Sequence, residues 1–348
     1  MSKQQYNQEL ERFQANCQKL IKSGMAYMVV ILNHELFRYL YPYEPYARFT
    51  HRDPVKMAVH HIKTLNVLAE NSRKGITPYS FDSKHYMLVG KKISVEKKTS
   101  DLYTELWKPF EEEILNNESY KLITGRLNQT IVKNYIRGKR VLDMGCGSGR
   151  YSIALSMIGA KEVVAVDYQE KSFQNAKKFC QSKRLNVQFR EANCLKLPFK
   201  RESFDFVFSN GVLHHTRSIK NGLSELERVL KRGGKSFLYI YAKGGIFWET
   251  RLIMRKIFAK IPLSYTQSVL DIIGMPKHRF FFCDVWYVPI ETHTSKYHLE
   301  NMFKHLKLDY QKIISKNKFD LDRAINSEIK NAASMWGDGE HRYLLSKA

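Results

Sequence analysis

The chain has 348 residues, 43% hydrophobic and 26% charged, a composition that excludes a disordered or membrane-embedded class. Its longest apolar run, residues 25–32, is far shorter than the roughly 20 residues of a membrane-spanning helix. The formal net charge of +23 raises the question of a nucleic-acid partner. Composition alone does not answer it.

The basic excess is spread along the chain. Lys and Arg outnumber Asp and Glu by 16 to 8 in residues 1–100 and by 21 to 9 in residues 136–243. We interpret this as a lysine-rich solvated surface and do not favour a nucleic-acid partner, because a dedicated binding appendage concentrates its charge. The five cysteines form no C-x-x-C pair, so neither a disulfide framework nor a metal site is predicted. With no apolar signal core at the N-terminus, we expect a cytoplasmic protein.

The first part of the chain reads as helical. Apolar residues recur at helical spacing in residues 1–100, which we interpret as a helical N-terminal region, with an exposed linker near residues 90–100. Residues 101–135 continue the helical pattern and are predicted to form a lid that leads into the core. Tyr103 and Trp107 are candidates for covering a ligand, with plain packing as the alternative.

From residue 136 onwards, strands and helices alternate with short connections. This pattern predicts a parallel sheet covered by helices on both faces. The predicted strands are 140–144, 162–166, 187–190, 204–208, 235–241, 308–314 and 341–347. The predicted helices are 151–158, 171–183, 219–230, 246–261, 264–273 and 297–306. Residues 136–348 are thus one α/β domain, and residues 244–295 are an insertion that caps the open end of the sheet.

The stretch Val141-Leu142-Asp143-Met144-Gly145-Cys146-Gly147-Ser148-Gly149 predicts a strand, a tight turn and a helix N-terminus. A dinucleotide fingerprint would place its third glycine at position 150, where this chain has Arg150. No Gly-Lys-Ser/Thr follows, so a phosphate-binding loop is also excluded. A nucleotide-type ligand without a pyrophosphate remains, and S-adenosylmethionine fits that description.

Further polar patterns follow the later strands, where a parallel sheet brings them together. Asp167 ends the second strand and can accept both ribose hydroxyls. Asn193-Cys194 could bracket an adenine edge. Ser209 and Asn210 follow the fourth strand and should approach the reacting end of the ligand. Each has an uneventful alternative, but their joint occurrence in this order favours a binding site.

Residues 136–243 resemble class I S-adenosylmethionine-dependent methyltransferases, especially the type-11 group that includes the ubiquinone and menaquinone biosynthesis enzymes. The resemblance rests on the glycine motif, on Val166-Asp167, on Leu197-Pro198-Phe199 before Ser203-Phe204-Asp205, on Gly211-Val212-Leu213-His214-His215, and on Glu227-Arg228-Val229-Leu230-Lys231-x-Gly233-Gly234. It covers roughly a third of the chain. It implies a Rossmann-like α/β sheet of seven strands whose last strand is antiparallel.

The resemblance also implies a residue-by-residue cofactor site. Asp143, Gly145 and Gly147 would hold the methionine moiety, Asp167 the ribose and Asn193 with Cys194 the adenine. The family more often has Asp at position 193, and Arg232 stands where proline is usual. The full predicted cofactor-binding set is Asp143, Gly145, Cys146, Gly147, Gly149, Asp167, Tyr168, Asn193, Cys194, Ser209 and Asn210.

Methyl transfer depends mainly on alignment, and a base is needed only if the acceptor must lose a proton. His215 is the preferred candidate base and His214 the second, with packing of the cofactor as the alternative role for both. No metal is predicted to take part.

The favoured function is methyl transfer to a partly apolar small molecule. Aromatic residues of the predicted cap suggest a hydrophobic acceptor pocket, namely Trp248, Phe280, Phe281, Phe282, Trp286 and Tyr287, with His293 and Trp336 as further candidates. Asn210-Gly211-Val212-Leu213 stands where methylases of exocyclic base amines have Asn/Asp-Pro-Pro-aromatic, which argues against such a substrate. The alternatives are an RNA methyltransferase, supported by charge alone, and a non-catalytic cofactor-binding scaffold. The sequence does not name the acceptor or the oligomeric state.

Overall fold

The computed structural model describes residues 3–40, 53–72, 95–107, 123, 127, 129–275, 279–313, 325 and 329–348. The chain divides into two compact units. The helical unit comprises Met1–Lys92, Lys243–Val288 and Leu321–Gly339, and the sheet unit comprises Ile93–Ala242, Pro289–Asp320 and Glu340–Ala348. The predicted partition into residues 1–100, 101–135 and 136–348 stays a prediction.

The described helices are α1 Lys3–Lys22, α2 Ala26–Leu40, α3 Pro54–Ser72, α4 Val95–Trp107, α5 Gln129–Ile131, α6 Arg150–Met157, α7 Gln174–Ser182, α8 Ile219–Val229, α9 Gly245–Phe258, α10 Leu263–Ile272, α11 Arg279–Tyr287, α12 Lys296–His305 and α13 Ala332–Trp336. The strands are β1 Arg140–Met144, β2 Glu162–Asp167, β3 Val187–Glu191, β4 Phe204–Asn210, β5 Leu230–Tyr241, β6 Leu308–Lys312 and β7 Glu340–Lys347. Among the described residues, no helix has the length and apolarity needed to span a membrane.

The seven strands form one sheet in the order β3-β2-β1-β4-β5-β7-β6. β1 pairs in parallel with β2 and β4, β2 with β3, and β4 with β5. β7 runs antiparallel to β5 and β6. The expected α/β architecture of seven strands with an antiparallel last strand is therefore confirmed.

The central strands of the sheet are buried on both faces, as parallel strands usually are. Val141 and Leu142, adjacent on β1, pack into the clusters on opposite faces, and Val163 and Val164 do the same on β2. Helix α6 covers one face, while α8 and α12 cover the other. This two-sided burial explains why β1 and β2 are nearly continuous apolar runs, whereas the edge strands β3 and β6 carry exposed polar residues.

Sequence periodicity located most elements of the sheet unit to within one or two residues. The largest difference is β5, which begins at Leu230 because this residue already pairs with Phe204, before an irregularity that contains Gly233 and Gly234. The predicted linker near residues 90–100 is wrong in its second half, since α4 begins at Val95. The predicted helix over residues 108–122 lies outside the described residues.

The helical unit packs α1 against α3 and α9. Asn16 on α1 donates to Asn66 on α3 at 3.1 Å, and both side chains are buried. Tyr6 on α1 and Thr250 on α9 share a buried hydrogen bond of 3.0 Å between their hydroxyls. Helix α11 was not predicted, because its run of three phenylalanines hides the helical period.

A close backbone approach joins α9 to α13 in the helical unit. Gly245 has φ of +72°, and a Cβ added there would lie 2.3 Å from the backbone nitrogen of Gly337. Gly274 has a similar φ of +74°, but nothing lies within 4 Å of its added Cβ. A side chain at either glycine would be strained by the positive φ, but only at Gly245 would it also overlap with neighbouring atoms.

We expect Gly245→Ala to destabilise the protein by about 3 kcal/mol or more, because overlap with Gly337 adds to the strain of a left-handed alanine. Gly274→Ala, the matched control, should cost only about 1 kcal/mol. Thermal unfolding followed by circular dichroism measures both. Equal melting temperatures for the two variants would contradict the close approach.

Candidate functional site

The carboxyl ends of β1, β2 and β4 lie side by side at one edge of the sheet. β1 ends at Met144, β2 at Asp167 and β4 at Asn210, and the three strands are neighbours in the sheet. The predicted cofactor residues of the glycine turn, of the end of β2 and of the end of β4 therefore meet at this carboxyl edge. A ligand site at this edge is the usual arrangement in open parallel sheets.

The three glycines of the turn serve different purposes. All have positive φ, at +85° for Gly145, +52° for Gly147 and +79° for Gly149. An added Cβ would lie 2.4 Å from Val212 at Gly145 and 2.5 Å from Ala176 at Gly149, so packing within the protein requires these two glycines. Nothing lies within 4 Å of an added Cβ at Gly147. Gly147 alone among the three leaves open space for a ligand.

Four backbone N–H groups of this turn donate hydrogen bonds within the protein. Gly145 and Cys146 both donate to the carbonyl of Val166, and Gly149 donates to that of Cys146. Gly147 N donates to Asp167 Oδ2 at 2.8 Å. These four N–H groups stabilise the turn itself. The polar groups that remain available to a ligand are therefore chiefly side chains.

Asp143 is buried at the end of β1, with 2% of its surface exposed. Ser152 on α6 donates to its Oδ2 at 2.6 Å. Burial raises the pKa of Asp143 from 3.8 to about 7, although the Ser152 hydrogen bond works in the opposite direction. A positively charged ligand group nearby would favour the ionised form of this carboxylate.

Asp167 is half-buried at the end of β2 and accepts two backbone hydrogen bonds. Besides Gly147 N, the backbone nitrogen of Tyr168 donates to its Oδ1 at 2.8 Å. Burial raises its pKa, and these hydrogen bonds partly offset the effect. Ser100 on α4 approaches Oδ1 at 3.5 Å and also bonds Ser172 at 3.1 Å. Helix α4 is thus attached to the ribose end of the predicted site.

The predicted adenine residues are placed differently from one another. Asn193 is exposed, and its Oδ1 accepts from the backbone nitrogen of Leu195 at 2.8 Å, which leaves its NH₂ group for a ligand. Cys194 is 7% exposed and packs into the core on one face of the sheet. Cys146 packs on Ala165 and Phe173. The two cysteines can contribute shape or backbone groups, while burial raises the pKa of both thiols.

His214 is fully buried and fills the space beside β5. Its ring stacks on Tyr241 with 3.7 Å between centroids, and its Nδ1 accepts from the backbone nitrogen of Tyr241 at 3.2 Å. Nδ1 is therefore occupied, and the neutral ring carries its proton on Nε2. This geometry favours the packing role for His214.

His215 has a hydrogen-bond partner at each ring nitrogen. Its Nδ1 lies 2.8 Å from the carbonyl oxygen of Ile290, and its Nε2 lies 2.9 Å from the hydroxyl of Tyr103 on α4. A carbonyl oxygen only accepts, so Nδ1 carries the proton and Nε2 accepts from Tyr103. The tautomer of His215 is thereby set by its surroundings.

Sequence reasoning missed several residues at this edge. Ser100 and Thr104 both bond Ser172 at 3.1 Å and hold α4 in place. A signal was present, since Ser100, Tyr103 and Thr104 fall three and four residues apart on one helical face. Also missed was a buried pair, in which Glu291 Oε1 lies 2.6 Å from His293 Nε2. The side chain of Trp107, the other predicted cover residue, lies outside the description.

The predicted hydrophobic pocket does not form from three of its aromatic residues. Trp248, Phe282 and Trp286 are 2%, 0% and 3% exposed, and Phe258 stacks on Trp286 inside the helical unit. Helical spacing directs these rings into the interior of that unit. Trp336 is likewise buried, while the side chains of Phe280 and Phe281 are not described. Among the described residues, no group of three His, Cys, Asp or Glu is placed to hold a metal ion.

Comparison with known proteins identifies one part of the chain. Residues 142–238 match a family model described as a methyltransferase domain. A tRNA U34 carboxymethyltransferase from Pseudomonas aeruginosa is 42% identical over 106 residues, which cover 30% of this chain and 32% of that protein. The uncharacterized methyltransferase YcgJ from Bacillus subtilis is 34% identical over 100 residues, covering 28% and 39% of the two chains.

The crystal structure of the Bacillus subtilis YcgJ protein aligns with 67% of this chain and 100% of that chain, at 20% identity and a TM-score of 0.43. The chain spans about a third of the length of the curated relatives it matches, which is 32% for the Pseudomonas aeruginosa protein. The matched stretch holds the glycine turn, Asp167 and the β4 loop, and ends before α9.

We expect Asp143→Asn to stabilise the protein increasingly as the pH rises. A carboxyl whose pKa is raised on folding loses stability between its unfolded and folded pKa values, here between about 4 and about 7. From pH 5.5 to 8 the gain of the variant over the wild type should grow by about 2 kcal/mol, measured by urea unfolding at both values.

Asp205→Asn is the matched control within the same sheet. Burial alone would raise the pKa of Asp205, but hydrogen bonds from Lys231 and from the backbone of Arg140 outweigh it and lower the pKa. Removing this carboxylate should therefore cost stability at pH 8. A gain for Asp143→Asn that did not change with pH would contradict the raised pKa.

Proposed function

Since residues 142–238 belong to the class I, type-11 methyltransferase domain family, we propose that this chain transfers a methyl group from S-adenosylmethionine to an acceptor that must lose a proton. The observation that carries the proposal is the meeting of two carboxyl groups with raised pKa values, Asp143 and Asp167, beside the glycine turn that leaves open space at Gly147. The Tyr103–His215 hydrogen bond at the end of β4 supports the proton step.

The residues at the carboxyl edge fit this cofactor chemically. Gly147 leaves open space where its neighbours Gly145 and Gly149 do not. Asp143 is a buried carboxylate with a pKa of about 7, and an α-ammonium group would favour its charged form. Asp167 Oδ1 accepts from Tyr168 and Ser100, whereas Oδ2 accepts from Gly147 N and keeps a lone pair that can accept from a ribose hydroxyl.

The cofactor, when bound, supplies an electrophilic methyl group on a sulfonium. The chain's own residues then have three tasks. Asp143 and Asp167 hold the two ends of the cofactor in register, which aligns the methyl for in-line attack. Helix α4 covers the site from Ser100, beside Asp167, to Tyr103, beside His215. This cover excludes water and orients the acceptor.

Proton removal falls to Tyr103 and His215 together. As the acceptor attacks, its proton passes to the Tyr103 oxygen while the Tyr103 hydroxyl proton passes to His215 Nε2. His215 then carries protons on both nitrogens, and the Ile290 carbonyl continues to accept from Nδ1. His215 remains the proposed base, but acts through the tyrosine hydroxyl rather than on the acceptor itself.

The acceptor has two candidates. The first is a small molecule with a hydroxyl, amine or acidic carbon, as the sequence favours. Its hydrophobic character loses support, because Trp248, Phe282 and Trp286 are used in the interior of the helical unit. Polar groups of the sheet unit, including the Glu291–His293 pair, are more consistent with a polar acceptor.

The second candidate is RNA. It is favoured by a specific observation, namely that several relatives of residues 142–238 are named tRNA U34 carboxymethyltransferases. The β4 loop residues Asn210-Gly211-Val212-Leu213 argue against an exocyclic base amine as the acceptor. Incubation of the protein with methyl-labelled cofactor, and with either bulk tRNA or a small-metabolite extract, would distinguish the two by where the label goes.

We expect Asp167→Ala to weaken S-adenosylmethionine binding by about 10- to 150-fold, the worth of charge-assisted hydrogen bonds to the ribose. Isothermal titration calorimetry measures it without knowledge of the acceptor. Asp309→Ala, an exposed carboxylate on β6, is the control and should bind as the wild type does. Failure of the wild-type protein to bind the cofactor would refute the proposed function.

We expect Tyr103→Phe and His215→Gln to slow methyl transfer by about 10²- to 10⁴-fold, the usual contribution of a general base, with little change in cofactor affinity. If both residues act on one proton, the double variant should be no slower than the slower single variant. Nitrogen NMR of labelled histidine should show His215 protonated at Nδ1 in the wild type. An Nε2-protonated ring would exclude the relay.

A further inference from the structure

The opposite edge of the sheet, where the parallel strands begin, carries a regular series of cations. An exposed basic residue stands within three residues of the first residue of each of the six strands that run in the same direction. We call these residues the amino-edge row. In sheet order from β3 to β6 they are Arg184, Lys161, Lys139, Arg201, Arg232 and Lys307.

The carboxylates of this edge are mostly paired with other bases. Glu162 pairs with Arg140 at 2.6 Å. Asp205 pairs with Lys231 at 2.8 Å, and Glu227 pairs with Lys347 at 2.9 Å. These pairs leave the positive charge of the amino-edge row largely uncompensated.

Within the described part of the chain, five members of the row have no carboxylate partner within ion-pair distance. The sixth, Arg232, lies 3.6 Å from Glu202, and its side chain is 81% exposed. An exposed pair at this distance contributes little. The row therefore presents six charges to solvent.

The sheet sets the extent of the row. Neighbouring strands lie about 4.8 Å apart, so six intervals from β3 to β6 extend over roughly 29 Å. Strand β7 contributes no member, and the six residues stand at different distances from their strand starts. An extended row of exposed positive charges is complementary to a polymer that carries one negative charge per repeat. We propose that the amino-edge row binds the phosphodiester backbone of a nucleic acid, RNA or DNA.

Other partners fit this face less well. Protein interfaces are depleted in lysine and need an apolar centre. Of the exposed large apolar side chains in the described residues, Met157 at the end of α6 is the one at this edge. Insertion into a lipid surface also needs apolar side chains. A sequence-independent phosphate contact needs none.

Backbone geometry gives independent support. Arg184 and Lys307 both have φ of +54° and lie two residues beyond the last residues of α7 and α12. Glycine or asparagine usually occupies this left-handed position after a helix. Long cationic side chains stand there although the backbone favours a residue without them. They also lie near helix carboxyl ends, where cations are stabilising, so a structural role is the competing explanation.

The inference does not depend on the proposed methyl transfer, because phosphate contacts at the amino edge need no cofactor. The experiment uses the full chain without cofactor and measures fluorescence anisotropy with labelled bulk tRNA and with a DNA duplex of about 20 base pairs. Salt is varied from about 50 to about 300 mM, because the slope of log K against log salt counts phosphate contacts. Equal binding of both probes would indicate backbone recognition in general, and binding of tRNA alone would identify RNA as the source.

The test variant replaces four row residues, as Lys139→Gln, Lys161→Gln, Arg184→Gln and Arg201→Gln together. The matched control makes the same charge change elsewhere, as Lys19→Gln, Lys63→Gln, Lys178→Gln and Lys256→Gln, all exposed and outside the row. We expect the row variant to bind tRNA about 10²-fold more weakly near 0.1 M salt, with a slope smaller by about 3. The control should lose less than about threefold.

Three results would overturn the proposal. In the first, both fourfold variants lose affinity equally, which would indicate net charge alone. In the second, the row variant melts at lower temperature but binds both nucleic acids as the wild type does, which would assign the row to helix ends. In the third, the row variant binds both nucleic acids as the wild type does but loses co-sedimentation with phosphatidylserine vesicles, measured in parallel, which would indicate a lipid surface. If the fourfold variant does not fold, Lys161→Gln and Arg201→Gln are measured singly, each with an expected slope change of about 0.8.

Discussion

Parallel pairing of β1 with β2 and β4 is the constraint on which the rest of the sheet unit depends. Consecutive parallel strands are joined by a crossover, usually a helix, which brings the chain back to the edge where the previous strand began. All parallel strands therefore start at one edge of the sheet and end at the other. The ends of the parallel strands that carry the proposed ligand-binding residues thereby lie together at the carboxyl edge, and the starts of these strands lie at the other edge. Asp143 and Asp167 are 24 positions apart in the sequence, yet they end neighbouring strands.

Collecting acids at one edge has an electrostatic cost. Asp143 and Asp167 are both buried enough that their pKa values rise, and the charge of Asp167 raises the pKa of Asp143 further. Their partners are Ser152 and backbone amides of the turn, and no cationic side chain among the described residues makes an ion pair with either. Arg150 lowers the pKa of Asp143, but burial outweighs this effect. Two buried acids so placed are more favourable around a cationic ligand than alone, which is the physical reason to expect a positively charged cofactor there.

Much of the sheet unit was predictable because local sequence patterns indicate its strands and turns. Short apolar runs, glycine turns and polar strand ends gave the strands of the sheet and the carboxyl edge. The shape of the turn was less accessible. Gly145 and Gly149 are needed because Val212 and Ala176 pack against them, and these are contacts between segments that sequence spacing does not reveal.

The acceptor side was predicted least well for the same physical reason. The sequence identifies Tyr103 as a candidate cover residue, but its hydrogen-bond partner His215 lies more than a hundred positions away. The other partner of His215 is the backbone carbonyl of Ile290. Backbone groups carry no sequence signal. The aromatic residues of α11 suggested a hydrophobic acceptor pocket, but Phe282 and Trp286 pack against each other in the interior of the helical unit.

Parallel strand pairing also explains why the distribution of charge along the sequence is misleading. Counted by segment, the positive excess looks evenly spread, with 21 bases against 9 acids in residues 136–243. A parallel sheet, however, brings the chain back to its starting edge at every crossover. Basic residues near the starts of six strands are far apart in the sequence but lie at one edge of the sheet, so an even distribution along the chain becomes a concentrated one on the surface. In a parallel sheet, the direction of the strands decides whether basic residues gather on one surface. Counts of charged residues along the sequence reveal such a surface only where distant segments do not return to a shared edge of the sheet.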